Sequence, residues 1–465
     1  MPNARLNWLN FFAADVGDGI GPFVATFLIT TSQWNESSIG AFLLTLNLAT
    51  VIAQTPVGWL IDQTRFKRFL ASGAAFAIAL CVLVPAFASQ KVPTLVSAAV
   101  LGVAAAILPP AISAMTLGIV GPKRLTQQTG SNQAFNHAGN LFAAIAIGLV
   151  AYFLVPWGFA PIVAVLASVA GLVVLTIPEQ SIDHDVARGG LCNPNSSNST
   201  RSSWATILST RPLLIFMFCV GLFHLSNAAM LPLAGQKLAI GDADANGEQS
   251  AVEEATIIGQ ADREGNSERP KASAVGQRGQ TSSRKQLATL YLSLCVVVAQ
   301  IVMIGVSILI GRRADRWGRK RFLLIGFASL PIRGFLFSQV TSPFWVIAGQ
   351  ILDGIGAGVY GVMAILVVAD LTRGTGVFNF AAGMVITVQG LGASIGSWLG
   401  EWWAGAYGYS SSYTMLTTLG IVALLTLAIL MPETNPSRTP TEGSDPDLKT
   451  SGPSPPSADS AQETP

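Results

Sequence analysis

Asp15 and Asp18 stand three residues apart in an otherwise apolar stretch, so a helix places both carboxylates on one face. Two such groups out of water form the chemistry of a proton site that loads and unloads near neutral pH. The plainer alternative is that one pairs with Arg or Lys, or that both line a wide aqueous mouth. A second constellation follows at Asn132, Gln133, Asn136, His137 and Asn140, where offsets of three, four and eight gather amide and imidazole groups on one stripe. Such a stripe turns inward, and it can bind a polar solute, relay protons or join helices by hydrogen bonds. His224 with Asn227, and Gln54, Gln300 and Gln389, carry the same ambiguity. Arg333 and Asp353 fall in consecutive apolar runs and are expected to pair as a structural ion pair.

Several chemistries lack their residues. There is no Gly-rich phosphate loop with Lys-Ser/Thr, no metal-spaced Cys/His set and no nucleophile elbow, so neither ATP hydrolysis nor another enzyme activity is expected. Cys81, Cys219 and Cys295 lie in apolar runs and Cys192 in a polar segment, without paired spacing. No cofactor and no metal is implied.

The elements that position these groups are membrane helices. Of 465 residues 51% are hydrophobic and only 11% charged, and the mean hydropathy is +0.51. About twelve apolar runs are each long enough to cross a hydrocarbon core of about 30 Å. Lipid offers no partner to unpaired backbone groups, which makes the fold an all-α integral membrane bundle. Pro109-Pro110 is expected to kink the fourth span. Gly392, Gly396 and Gly400, spaced by four in the eleventh, permit close helix contact. The net charge of +2 points to no nucleic acid, because the basic residues cluster in short loops on one side. The positive-inside bias puts those loops, and both termini, in the cytoplasm, with the cell membrane as the expected location.

The segment Gly311 to Arg321 holds seven charges in eleven residues between two apolar runs. A weaker copy runs from Gly58 to Arg68, and Asp62 and Asp315 are 253 residues apart. Pro178 and Pro432 repeat at 254, so the chain is two copies of one unit. Pro22 and Pro232 repeat at only 210, which assigns about 43 extra residues to the polar stretch before the eighth span. The expected organisation is a first six-helix half at 1–179, a cytoplasmic linker at 180–210 and a second half at 211–433. That second half contains a disordered insertion at 240–286, and a disordered tail occupies 434–465.

The two charged segments resemble the loop signature between the second and third helices of each half in the major facilitator superfamily. The second copy matches at nearly every position; the first has Arg65 where the second Gly of the signature is expected and Gln63 in place of Arg. Ala14 to Pro22, Asn132 to Asn140 and Asp370 to Gly376 are similar to a poorly characterised branch of that family. The resemblance implies twelve transmembrane helices in two pseudo-symmetric halves, with solute held between them and access alternating by rocking. It also implies gating roles for Gly58, Asp62, Gly311, Asp315, Arg316, Gly318 and Arg319, each signature Asp meeting the start of a helix in the opposite half. The expected function is proton-coupled efflux of a small organic metabolite or toxic compound by a monomer in the bilayer, through Asp15, Asp18, Asn132, Asn136, His137, His224, Asn227 and Gln389. The alternatives are a proton symporter taking up an organic acid, sugar or amine, and a non-transporting receptor or scaffold.

Overall fold

The computed structural model describes residues 3–14, 28, 34, 36–87, 90–153, 159–190, 203–240, 271–339 and 342–436. Asp15, Asp18 and Cys192 lie outside them. The described elements are helices, without a strand among them. In the first half they are α1 (Ala4–Ala13), α2 (Glu36–Gln63), α3 (Lys67–Cys81), α4 (Val84–Phe87), α5 (Lys91–Phe153) and α6 (Phe159–Leu175). Between the halves stand the short α7 (His184–Ala187) and α8 (Ser203–Ser209). The second half contains α9 (Arg211–Asn227), α10 (Met230–Ile240), α11 (Lys271–Trp317), α12 (Arg319–Gln339), α13 (Pro343–Leu371), α14 (Phe378–Tyr407) and α15 (Tyr409–Leu430).

Among the described residues nine helices are long and apolar enough to cross a membrane, and one stretch of 57 residues, Lys91–Ile147, is too long for a single crossing. It divides at Gly121, whose φ of 68° and ψ of 170° leave the helical region, with Pro122 next. The chain therefore turns at Gly121, and Pro109-Pro110 stay within continuing helix. Counting this stretch as two spans, α6 as a short one, α3 with α4 and α9 with α10 as broken ones, and α1 as the start of the first, the twelve-span pattern is complete. Where proline opens a helix, as Pro343 does in α13, its missing N–H falls among the groups a helix start leaves unpaired anyway.

Buried apolar side chains form two cores, one within the first half and one in the second half that also takes in Leu117 and Leu125 of α5 and Val186 and Ile207 of the linker. The first joins Leu6, Phe42, Ile78, Met115 and Phe159; the second joins Phe216, Phe327, Met363, Phe378 and Tyr413. The glycine series of α14 lies against α9: a Cβ on Gly392 or Gly396 would strike the Gly221 or Leu225 carbonyl, and one on Gly400 the Ala229 methyl. Other glycines of the same helix face the first half, Gly383 against Gln54 and Gly390 against Val51 of α2.

One expectation about a connecting segment differs from the structure. α11 begins at Lys271, so 271–286 continues the eighth span as helix instead of belonging to a disordered insertion, while 241–270 lies outside the described residues. The start of the linker is also ordered against both halves. Asp183 N–H donates to Gly118 O at 3.2 Å, and Gly189 O and Arg188 O accept from Gly374 N–H at 2.5 Å and Phe378 N–H at 3.0 Å. Ala187 and Val186 are buried there because backbone partners and apolar neighbours are available on each side.

Candidate solute cavity and its loop-end closure

Between the halves lies a cavity of about 590 Å³. α1 contributes Asn10, α2 Thr50 and Gln54, α5 Thr129, Asn132, Gln133, Asn136 and Asn140, and α11 Gln300, with Ile365 and Ile386 from α13 and α14. No described lining residue is charged. Asn132 is fixed in place: its Oδ1 accepts from Gln128 Nε2 at 2.8 Å and its Nδ2 donates to Thr116 Oγ1 at 3.0 Å. Gln128 Nε2 also donates to Asn7 Oδ1 at 3.0 Å, which ties α1 to α5. Asn10 and Thr50 bond back to their own helices, donating to Leu6 O at 2.7 Å and Leu46 O at 2.8 Å, whereas Gln54 Oε1, Asn140 Oδ1 and Thr129 Oγ1 are buried without a hydrogen-bond partner. Each such atom forgoes about 1–3 kcal/mol of hydrogen bonding unless something in the cavity supplies it.

His137 stands behind this stripe and links the halves, its Nδ1 lying 2.9 Å from Gln300 Oε1 while Nε2 is buried and unpartnered. The remaining expected site residues collect elsewhere, inside the second half. Arg333 Nη1 donates to both Asp353 Oδ1 and Asn227 Oδ1, the latter at 2.8 Å, and the guanidinium lies 5.3 Å from the Phe337 ring centroid. Arg333 is 1% exposed, so its charge is neutralised where it stands and does not snorkel to an interface. His224 meets the Tyr360 ring edge-on at 4.7 Å, and Tyr360 Oη donates to Gln389 Oε1 at 2.8 Å. His224, Asn227 and Gln389 thus lie apart from the described cavity lining, contrary to the expectation that they share it with the stripe. A helical period identifies an inward face but not which of two interiors it faces.

The charged loops meet at one end of the bundle. Asp62, 4% exposed, accepts from Asn379 N–H at 3.1 Å, Phe380 N–H at 2.8 Å and Asn379 Nδ2 at 2.7 Å, all at the start of α14 in the opposite half. These are unpaired amides at a positive helix end. Gly58 permits the approach, since any Cβ would overlap the Asn379 carbonyl. Asp315, with a side chain 54% exposed, accepts from Thr126 Oγ1 at 2.7 Å and Arg319 Nη1 at 2.9 Å. Gly311 packs on Gly130 of α5, where a Cβ would stand 3.1 Å from the Gly130 Cα. Arg319 is buried and also donates from Nε to Asp370 Oδ2 at 3.0 Å and from Nη2 to Thr126 Oγ1 at 3.1 Å. Gly318, at φ 92°, makes a one-residue turn, and Glu433 caps α12 by accepting from Arg319 N–H at 2.7 Å and Lys320 N–H at 3.2 Å. Arg316 ends α11. Asn379, Thr126, Asp370 and Glu433 complete this network without a local pattern that marks them for it; for Glu433 the one signal is its place next to Pro432, which repeats Pro178.

Two helical halves enclosing a polar cavity, closed at one end by paired loops, define a secondary transporter. A family model described as Major Facilitator Superfamily matches residues 6–254 and 282–458, and the chain belongs to that family. It is 37% identical over 430 residues to a protein described as an uncharacterized MFS-type transporter in two strains of Mycobacterium tuberculosis, covering 92% of this chain and 93% of that one. Among solved structures it resembles the Escherichia coli fucose:proton symporter FucP (TM-score 0.63, 13% identity, 91% of this chain and 97% of that one). It also resembles the proton:xylose symporter XylE (TM-score 0.59, 13% identity, 92% and 95%) and the nucleoside transporter NupG (TM-score 0.56, 14% identity, 92% and 99%). These last likenesses establish the fold alone.

Proposed function

We propose that the chain carries a small uncharged solute bearing hydroxyl or amide groups across the membrane, coupled to protons. The observation that supports this is the unpaired set Gln54 Oε1, Asn140 Oδ1 and Thr129 Oγ1 in a cavity whose described lining has no charge. Two of these atoms are obligate acceptors, so the solute that satisfies them donates O–H or N–H, and an ion would find no described counter-charge. The proton is assigned to Asp15, next in sequence to the cavity-lining Ala14, to Asp18 three residues further on, or to His137 at the junction of the halves. With the basic loops in the cytoplasm, the structure is the state closed on that side, and transport alternates it with one open there. Export is the direction expected from the sequence. Uptake with a proton is a second reading, favoured by the xylose and fucose symporters that share the fold.

The test is flux in proteoliposomes containing a pH dye, with labelled pentoses, polyols, nucleosides, organic acids and amines. A neutral hydroxylated solute should move, and Gln54→Ala with Asn140→Ala should weaken its flux about tenfold. Preference for an acid or amine would sink the substrate assignment. Asp15→Asn, Asp18→Asn and His137→Gln then locate the proton step, and the sign of the pH change separates export from uptake. Solute flux with no pH change would leave a uniporter.

A further inference from the structure

A second chamber of about 210 Å³ lies at the loop end, away from the polar cavity. Leu117 and Leu125 of α5, Leu366 of α13 and Val186 of the linker line it, so three separate parts of the chain enclose it. Its polar groups are Arg319, Asp370 and Arg373, with Thr126. Arg319 uses three of its five N–H donors on Asp370, Asp315 and Thr126, which leaves two. Arg373 makes no ion pair or hydrogen bond among the described residues although Asp370 lies near it, so one cation at this chamber has spare capacity. The exposed Lys123 and Arg124 flank the lining residues Pro122 and Leu125 and make the mouth more positive, which concentrates anions there.

We propose that this chamber is a regulatory site for a small organic monoanion, a carboxylate on a short apolar body, and that its occupant holds the two halves together. Space for about seven water-sized groups, at roughly 30 Å³ each, matches a small organic acid and excludes a phospholipid. The carboxylate meets Arg373 and the spare donors of Arg319, and the body meets the leucines. Since the walls belong to both halves and to the linker, parting the loop end dismantles the site. A ligand that binds only the closed form shifts the equilibrium towards it, and by reciprocity, opening the loop end expels the ligand.

The experiment uses the full chain in lipid nanodiscs, with sodium benzoate as probe, benzamide as its neutral match and sodium chloride as the ionic control. Benzoate should raise the melting temperature saturably and the others should not. Arg373→Gln, an exposed loop change, should weaken the apparent benzoate affinity about tenfold without altering the melting temperature in its absence. Ala369→Phe should fill the chamber and abolish the shift, while Gln54→Ala should leave it intact, which separates this site from the solute cavity. Spin labels across the loop end should report a larger closed fraction with benzoate. An equal shift with benzamide, no shift with benzoate, unchanged affinity in Arg373→Gln or unchanged label distances would overturn the proposal.

Discussion

The two charged loops descend from one repeated motif and do different work. In the first half, α2 and α3 are separated by Thr64, Arg65 and Phe66, and the loop's acid reaches across to the other half, buried on the backbone of α14. In the second half a single Gly318 separates α11 from α12. Its acid is half-exposed and touches the opposite half through one threonine hydroxyl, while Glu433 caps the turn from within the same half. In the first half Glu179 instead pairs with Arg68 at 3.4 Å and lies 3.1 Å from His184. The difference follows from residue 65. Arg cannot readily take a positive φ, so the turn opens to three residues and leaves no capped start for Glu179 to serve. One loop is a latch between halves, the other a brace that a smaller contact joins to its neighbour.

Substitutions can break this asymmetry in a graded way, read by the loop-end distance between spin labels at Phe66→Cys and Thr375→Cys in a cysteine-free background. Gly58→Ala should have the largest effect, because its methyl overlaps backbone: about 3 kcal/mol against closure, on the order of 100-fold in the open-to-closed ratio. Gly311→Ala, with 3.1 Å available, should shift that ratio no more than a few-fold, and equal effects of the two would refute the latch-and-brace assignment. Asp62→Asn should come next, at about 2 kcal/mol, since a buried charge at a helix start is lost. Gly318→Ala should lower thermal stability by about 1–2 kcal/mol through its backbone angle and collision with the Glu433 carboxylate, whereas Arg65→Gly should leave the melting temperature nearly unchanged. Asp315→Asn should be smallest, below about 1 kcal/mol, because its side chain is solvated and Arg319 keeps Asp370 and Thr126.

Much of the architecture was legible in the sequence. Hydropathy and the Asp62 and Asp315 repeat gave the two-half membrane bundle, since lipid leaves so few alternatives. The stripe from Asn132 to Asn140 marked one wall of the cavity, because a helical period reports which face turns inward. What no period reports is tertiary pairing. Asn227 pairs with Arg333, and Asn379 with Asp62 some three hundred residues away. At Gly121 a positive φ breaks the helix, and glycine is too frequent in these spans to mark such a residue from sequence.

α14 meets its own half and the opposite half through separate sets of glycines. On α9 the contact lies within one half, but on α2 it lies between the halves, where the proposed rocking would make and unmake it in every cycle. A surface without side chains has no knobs to lift from holes, so it behaves as a plain bearing instead of a ratchet. Along that seam, Thr55 and Thr387 share a hydrogen bond at 3.0 Å, and below it the Asp62 dock is the catch. Along this seam the halves can therefore part by releasing a few polar contacts with little repacking, and the sequence sets the ease of that motion by leaving atoms out.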